Sequence, residues 1–124
     1  SLDAIPKAQH FPKIQKRETD FYMLGWGVPT LDSHYVFSYL LDGDGSWNAT
    51  GYNNPIVDAV TSAIVTEIDI PKRTAMMDAA WTQVKADMPY VPIHHQVLAW
   101  GIADGFEIPI AADDAVRPRF IVKN

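Results

Sequence analysis

The sequence predicts an α/β fold, a mixed sheet with flanking helices, and three observations carry that expectation. Phe21, Tyr22, Met23 and Leu24 form a continuous apolar run, as a strand buried on both faces does. Apolar residues recur at helical spacing further on, most regularly at Met76, Ala80, Val84 and Met88. Tyr90 to Ile102 then reads YVPIHHQVLAWGI, rich in the β-branched and aromatic residues that suit a strand.

Taken in order, Leu2 to Ile5 is a short strand candidate ending at Pro6. His10-Phe11-Pro12 opens a helix, with Pro12 at an early helical position and Phe11 and Ile14 turned inward. Lys7, Lys13, Lys16 and Arg17 decorate this piece as a solvated face. With the run at Phe21 next, strand, helix and strand form a right-handed crossover, which predicts parallel pairing of the two strands.

The Phe21 strand must stop at Gly25-Trp26-Gly27, with Pro29 two residues on, in a loop given backbone freedom on both sides of a large ring. Asp32 and Ser33 offer capping oxygens to a helix whose Val36, Phe37, Leu40 and Leu41 share a face. Ligands in open α/β sheets bind beyond the carboxyl ends of strands. Trp26 is therefore either a plug of the core beneath the loop or a contact surface.

The segment LDGDGSWNATGYNNP is a long loop by composition. Asp42, Asp44 and Ser46 hold the first three ligand positions of a calcium loop. Trp47 stands where that loop needs its glycine and Asn53 where it needs a bidentate glutamate, so no calcium site is expected. Asn48-Ala49-Thr50 matches a glycosylation sequon, a pattern too short to carry weight.

Asn54 caps the next helix, with Pro55 at its first position, Asp58 near its positive end and Ile56, Val57, Val60 and Ile64 as its buried stripe. Another helix starts at Ile70-Pro71 and stops at Pro89, with Met77 and Trp81 broadening its stripe as core packing. In the strand from Tyr90, period two puts Val91, Ile93, His95, Val97 and Ala99 on one face and His94 on the other. The two histidines point apart and no shared metal is expected; His95 reads as a core histidine and His94 as the one nearer a polar cleft. Val116 to Val122 is a last strand that must find a sheet to join.

At 124 residues the chain is the size of one domain, spanning 1–124. Hydrophobic residues make up 48% and charged residues 20%, a globular composition. The net charge of -5 has the wrong sign for holding nucleic acid by its field, so no nucleic-acid partner is expected. Without cysteine there is neither a disulfide nor a thiolate nucleophile. The chain begins Ser1-Leu2-Asp3 without an initiator methionine, as a piece of a longer protein would, and its opening then says nothing about where the parent resides. There is no nucleophile elbow, HExxH, Walker loop or Rossmann fingerprint, and no cofactor or enzymatic activity is expected.

Three pieces stand together in the chain: Phe21 to Trp26 ending in Gly-Trp; Gly51-Tyr52-Asn53-Asn54-Pro55 with Asp58; and Asp69 and Arg73 leading through Ala79-Ala80 and Asp87-Met88-Pro89 to Val91-Pro92. In that order and spacing they resemble, over nearly the whole chain, the C-terminal part of the family 5 extracellular solute-binding proteins, the substrate receptors of peptide- and nickel-type ABC importers. The resemblance implies part of one lobe of a two-lobed, periplasmic binding protein type II-like fold, with 116–124 returning toward the other lobe. It implies a periplasmic, or extracellular and membrane-associated, parent that captures a peptide or related solute and delivers it to a membrane permease. The ligand-binding residues it implies are Gly25, Trp26, Gly27, Val28, Pro29 and Asp32, with Trp26 as a contact. The family pattern commonly runs G-W-x-x-D-x-x-D-P, its first Asp pairing with the peptide amino terminus in peptide-binding members. Pro29 occupies that position here, Asp32 matches the second Asp, and Ser33 replaces the final Pro. A buried ammonium left without its carboxylate costs on the order of 3–5 kcal/mol, so a ligand anchored otherwise is expected.

A reading from a different class is a free-standing α/β interaction module that binds a partner through the Trp26 loop, Trp47 and Tyr52. It requires a monomer with a complete sheet. The receptor reading expects unpaired edges and exposed apolar surface, which would favour a dimer.

Overall fold

The computed structural model describes residues 2–111 and 113–124. Helix α1 spans Lys7–Gln15, α2 spans Ser33–Val36 and continues as a π-helical turn over Phe37–Leu41, α3 spans Pro55–Ala63 and α4 spans Ile70–Asp87. Strands β1, Phe106–Glu107, and β2, Val122–Lys123, pair antiparallel, with Phe106 opposite Lys123 and Glu107 opposite Val122. The protein is thus mixed α/β, with its helices dominant.

Local chemistry explains the helix limits. Asp32, Asn54 and Asp69 each accept a backbone N–H from the helix that follows, at His34, Ile56 and Lys72, which relieves orphan donors at all three starts. Pro55 and Pro71 sit in first turns, where a missing N–H costs nothing. Helix α4 ends because Met88 turns left-handed at φ 48° and Pro89 cannot continue it. Helix α1 starts earlier than the sequence suggests, with Pro6 as its cap, and carries Pro12 inside.

One core joins the π turn, α3 and α4: Phe37, Leu40, Leu41, Val57, Ile64, Ala80 and Val84 are buried together. The stripe of α3 is rotated from expectation. Ile56 is exposed, and Thr61 is buried in its place, its hydroxyl donating to Val57 O at 2.8 Å. Met88, expected on the α4 stripe, is exposed as the left-handed cap.

The expected sheet is where sequence and structure part. Leu2–Ile5 and the Phe21 run form no ladder, so the parallel crossover is absent among the described residues. From Phe21 to Val28 exposure alternates, with Tyr22, Leu24, Trp26 and Val28 turned inward and Phe21, Met23, Gly25 and Gly27 outward. A strand buried on both faces is thereby corrected to a segment outside any ladder, with alternate residues turned inward. Residues 91–102 are all exposed and enter no ladder, so His95 is not a core residue. The expected Val116–Val122 strand is broken: Val116 bridges Ile110, Pro118–Phe120 form a 3-10 turn, and only Val122–Lys123 pair, with β1. Pro118, which lacks a ladder donor, accounts for the break.

Candidate functional site

The loop after Trp26 is shaped by two devices, neither of them at its glycines. Leu31 N donates to Val28 O at 3.0 Å, closing a turn, and Leu31 itself carries the positive φ of 54°. Gly25 and Gly27 are not in the left-handed region, which corrects the expectation that the loop depends on their freedom. A side-chain carbon at Gly27 would meet nothing, and one at Gly25 would stand 3.8 Å from Gln96 Oε1. Gly27, Pro29, Thr30 and Leu31 are exposed, so the tip of the loop faces outward.

Asp32 fixes the far end of that loop. Its Oδ1 accepts from His34 N at 2.8 Å and Arg73 Nη2 at 3.0 Å, and its Oδ2 accepts from Arg73 Nη1 at 2.7 Å. This two-pronged pair holds the Asp32 carboxyl below the usual carboxylate range, with the His34 amide adding to the effect, and pushes the Arg73 guanidinium up. Arg73 Nε also donates to Ile64 O, at the end of α3, at 3.1 Å. One guanidinium therefore ties the loop, α3 and α4 together. Ser33 Oγ accepts from Trp81 Nε1 at 3.0 Å and adds a second tie to α4. Asp32, expected to bind ligand, thus has its carboxylate engaged within the fold.

Trp26 rests on an aromatic bed built by the helix this carboxylate caps. Its ring centroid lies 6.0 Å from those of Tyr35 and Tyr39 and 5.9 Å from that of Trp47, while Phe11 meets Trp47 edge-on at 5.3 Å. Such tilted contacts suit the ring quadrupoles. Trp26 is half-buried against the core, and its Nε1 is buried without a hydrogen-bond partner among the described residues. A buried, unmatched N–H costs roughly 1–3 kcal/mol. The ring is thus a plug of the core on one side, under a loop that opens to solvent on the other.

The π turn beneath this bed is locked by the loop that follows. Asp42 N reaches Phe37 O at 2.7 Å, and Trp47 N turns back to Tyr39 O at 3.0 Å. Only glycine fits at 45, where a Cβ would lie 2.8 Å from Tyr39 O. Asn48 is the hub: its Nδ2 donates to Asp42 O at 2.9 Å and Tyr52 O at 2.6 Å, and its Oδ1 accepts from Thr50 Oγ1 and Gly51 N, both at 3.1 Å. Both amide hydrogens of a buried residue are used, so the sequon at Asn48 is no acceptor in the folded chain. Asp42 Oδ1 accepts from Asp44 N at 3.0 Å, a turn contact that accounts for the acidic residues there.

A second carboxylate closes the arrangement. Asp87 Oδ2 accepts from Tyr52 Oη and Asn54 Nδ2, each at 2.7 Å, and Oδ1 accepts from Gln83 Nε2 at 3.0 Å. The Tyr52 hydroxyl, then Gln83, lowers the Asp87 pKa; burial first, then Asp87, raises that of Tyr52. Asp58 Oδ1 accepts from Gly43 N at 3.0 Å.

Sequence reasoning named Arg73 without giving it a role. Its position four residues before Met77 puts a cation in line with Met77, Ala80, Trp81 and Val84, and a charge on an apolar stripe is a usable signal for an internal partner. Asn48 was hidden inside a sequon; the neighbouring Asp, Gly and Thr were the sign of a side-chain-braced turn. Compared with protein-family models, curated proteins and solved structures, the chain matches none.

Proposed function

We propose that this chain is part of the substrate-binding component of an ABC importer, capturing a peptide or related small solute and passing it to a membrane permease, within a two-lobed receptor that is periplasmic, or extracellular and membrane-associated. It carries out no catalysis. One observation carries the reading: the separate sequence pieces that resemble the receptor family are bonded to one another in space. Arg73 holds Asp32 next to the Gly-Trp loop, and Asp87 holds Tyr52 and Asn54 of the Gly-Tyr-Asn-Asn-Pro piece. Motif positions that brace one another in this way suit a shared receptor scaffold.

In this reading Gly25 to Pro29 line the ligand cleft and Trp26 offers the edge of its ring, while Asp32 acts by fixing the loop. The free-standing module is supported less, because it requires a complete sheet and the described residues form only the short pairing of β1 with β2 and a single bridge from Ile110 to Val116. Exposed Phe21, Met23, Val91, Ile93 and Val97 are apolar surface of the kind a larger receptor would cover.

The test is mass spectrometry of small molecules released on denaturing the purified full-length parent. A peptide or other solute in near-stoichiometric amount is expected. None from folded protein would defeat the reading. Once that solute is known, Pro29→Asp in the parent is expected to leave its affinity unimproved, because the native ligand does not present an amine there. A large gain, approaching the roughly 3–5 kcal/mol of a restored buried ion pair, would show that it does.

A further inference from the structure

Asp-Gly occurs three times in the chain, at Asp42-Gly43, Asp44-Gly45 and Asp104-Gly105. In this dipeptide the backbone nitrogen can attack the preceding carboxyl most easily, because glycine puts no side chain in the way and lets the peptide plane turn. Sequence does not separate the three. Their hydrogen bonds do. Gly43 N donates to Asp58 Oδ1 at 3.0 Å and Gly45 N to Asp42 O at 2.9 Å, so both nitrogens are held on other acceptors. Asp42 is itself engaged, its Oδ1 accepting from Asp44 N. Asp104-Gly105 has none of these restraints. Both residues are exposed in a turn, and among the described residues neither the Asp104 carboxylate nor Gly105 N makes a hydrogen bond. Gly105 stands at φ 83°, with no atom beyond its chain neighbours within 4 Å of where a Cβ would be, so its peptide can turn without meeting the rest of the fold.

We propose that Asp104 is the site at which the folded chain forms isoaspartate. Gly105 N attacks Asp104 Cγ and closes a succinimide ring; the amide proton and the carboxyl hydroxyl leave together as water. Water then adds back at one of the two ring carbonyls. Addition at Cγ restores aspartate. Addition at the Asp104 main-chain carbon breaks its bond to Gly105 N, so the chain then runs through the side chain and the α-carboxylate becomes a branch. No oxidant, reductant or cofactor enters, and the net mass is unchanged. The damage is local. The isoaspartyl link adds one backbone carbon inside the turn that Phe106 N closes on Ala103 O at 3.2 Å, directly before Gly105 O, which accepts from Asn124 N at 2.9 Å. Both bonds lose their register, and with them the pairing of β1 with β2. The core is spared, because among the described residues no hydrogen bond joins residues 2–90 to this part. The site stands apart from the receptor reading, since it is read from the chain's own chemistry, whether or not a solute copurifies.

The experiment stores the folded 124-residue chain in heavy-oxygen water, in mildly acidic buffer, and maps it by peptide mass spectrometry with electron-transfer fragmentation, which marks the extra backbone carbon. Each ring opening leaves one heavy oxygen on the residue. The label therefore counts turnover and excludes isoaspartate formed later, during digestion in ordinary water. Label is expected at Asp104 at least about fivefold faster than at Asp42 or Asp44, the factor that one held hydrogen bond supplies. In urea, where those bonds are gone, the three rates should converge. Exchange of the Asn124 amide should quicken in the aged chain but not in aged Asp104→Glu, whose longer side chain closes such a ring poorly. Equal rates at the three pairs in the folded chain, or a preference for Asp104 that persists undiminished in urea, overturns the proposal. So does a rate at Asp104 no higher than at Asp20, where Phe21 follows in place of glycine.

Discussion

Residues 7–90 and residues 91–124 draw on similar apolar side chains, yet only the first group buries them: every buried residue of the described chain lies between Ile14 and Val84. The hydrogen bonds differ in the same way. In the first part they cross long separations, from Asp32 to Arg73, Ser33 to Trp81 and Tyr52 to Asp87. In the second they stay within that part, between Trp100 and Asp114, Asp113 and Arg117, and Glu107 and Asn124, and among the described residues none reaches back to residues 2–90. Apolar content alone does not make a core; residues 7–90 have one where the π turn, α3 and α4 pack together, and polar groups at the margins of that packing are matched across the chain.

The most direct way to break this contrast is to truncate one large side chain in each part. Phe37, fully buried and ringed by Trp81 at 4.8 Å, is expected to cost about 3–5 kcal/mol when changed to Ala. Val97→Ala, at an exposed position, is expected to stay within about 0.5 kcal/mol. Urea unfolding of both variants checks this, and similar costs would mean that residues 91–124 share the core after all.

A smaller effect tests the cross-chain tie. Asp32→Asn and Arg73→Lys each lose one charge-assisted contact in a partly exposed pair, for roughly 1–2 kcal/mol after solvent screening. A double-mutant cycle should return a coupling of about 1 kcal/mol, whereas Asp113→Asn with Arg117→Lys, a similarly part-buried pair only four residues apart and bonded to none of the helices, should return a smaller coupling. Equal couplings would erase the distinction between the tied and the local part.

How much of this was legible follows the same division. Caps at Asp32 and Asn54 and the α4 face up to Val84 depend on neighbours within four residues, which periodicity reads well; the cap at Asp69 was not read, although Pro71 marked that start. Ile56 was misplaced because Thr61 satisfies its hydroxyl on Val57 O and is buried, which the α3 pattern does not announce. The strand reading of Tyr90 to Ile102 matched composition, but a ladder is a property of two segments and the sequence of one does not supply the other. Asp32 was legible as a cap and as a matching motif position; its engagement by Arg73, 41 residues away, was not.

The smallest expected effect is in the acid range, and its sign follows from the carboxylates. Asp32, held down by Arg73, and Asp87, held down by the Tyr52 hydroxyl, both have folded-state pKa values below their ordinary ones. Their contribution is therefore fully present above the ordinary carboxylate range, and it is lost as pH falls through that range toward the folded values, because the unfolded chain takes up protons first. Asp113, beside Arg117, is lowered as well, but its pair lies in the part that makes no bond to the helices. Asp32→Asn should accordingly flatten the acid slope of the unfolding free energy measured through the near-ultraviolet signal of the buried aromatics. Asp113→Asn should leave that slope unchanged while altering exchange of the Ala115 amide, which donates to Asp113 Oδ1 at 3.2 Å. If Asp113→Asn flattens the slope as much as Asp32→Asn, the two parts unfold as one cooperative unit.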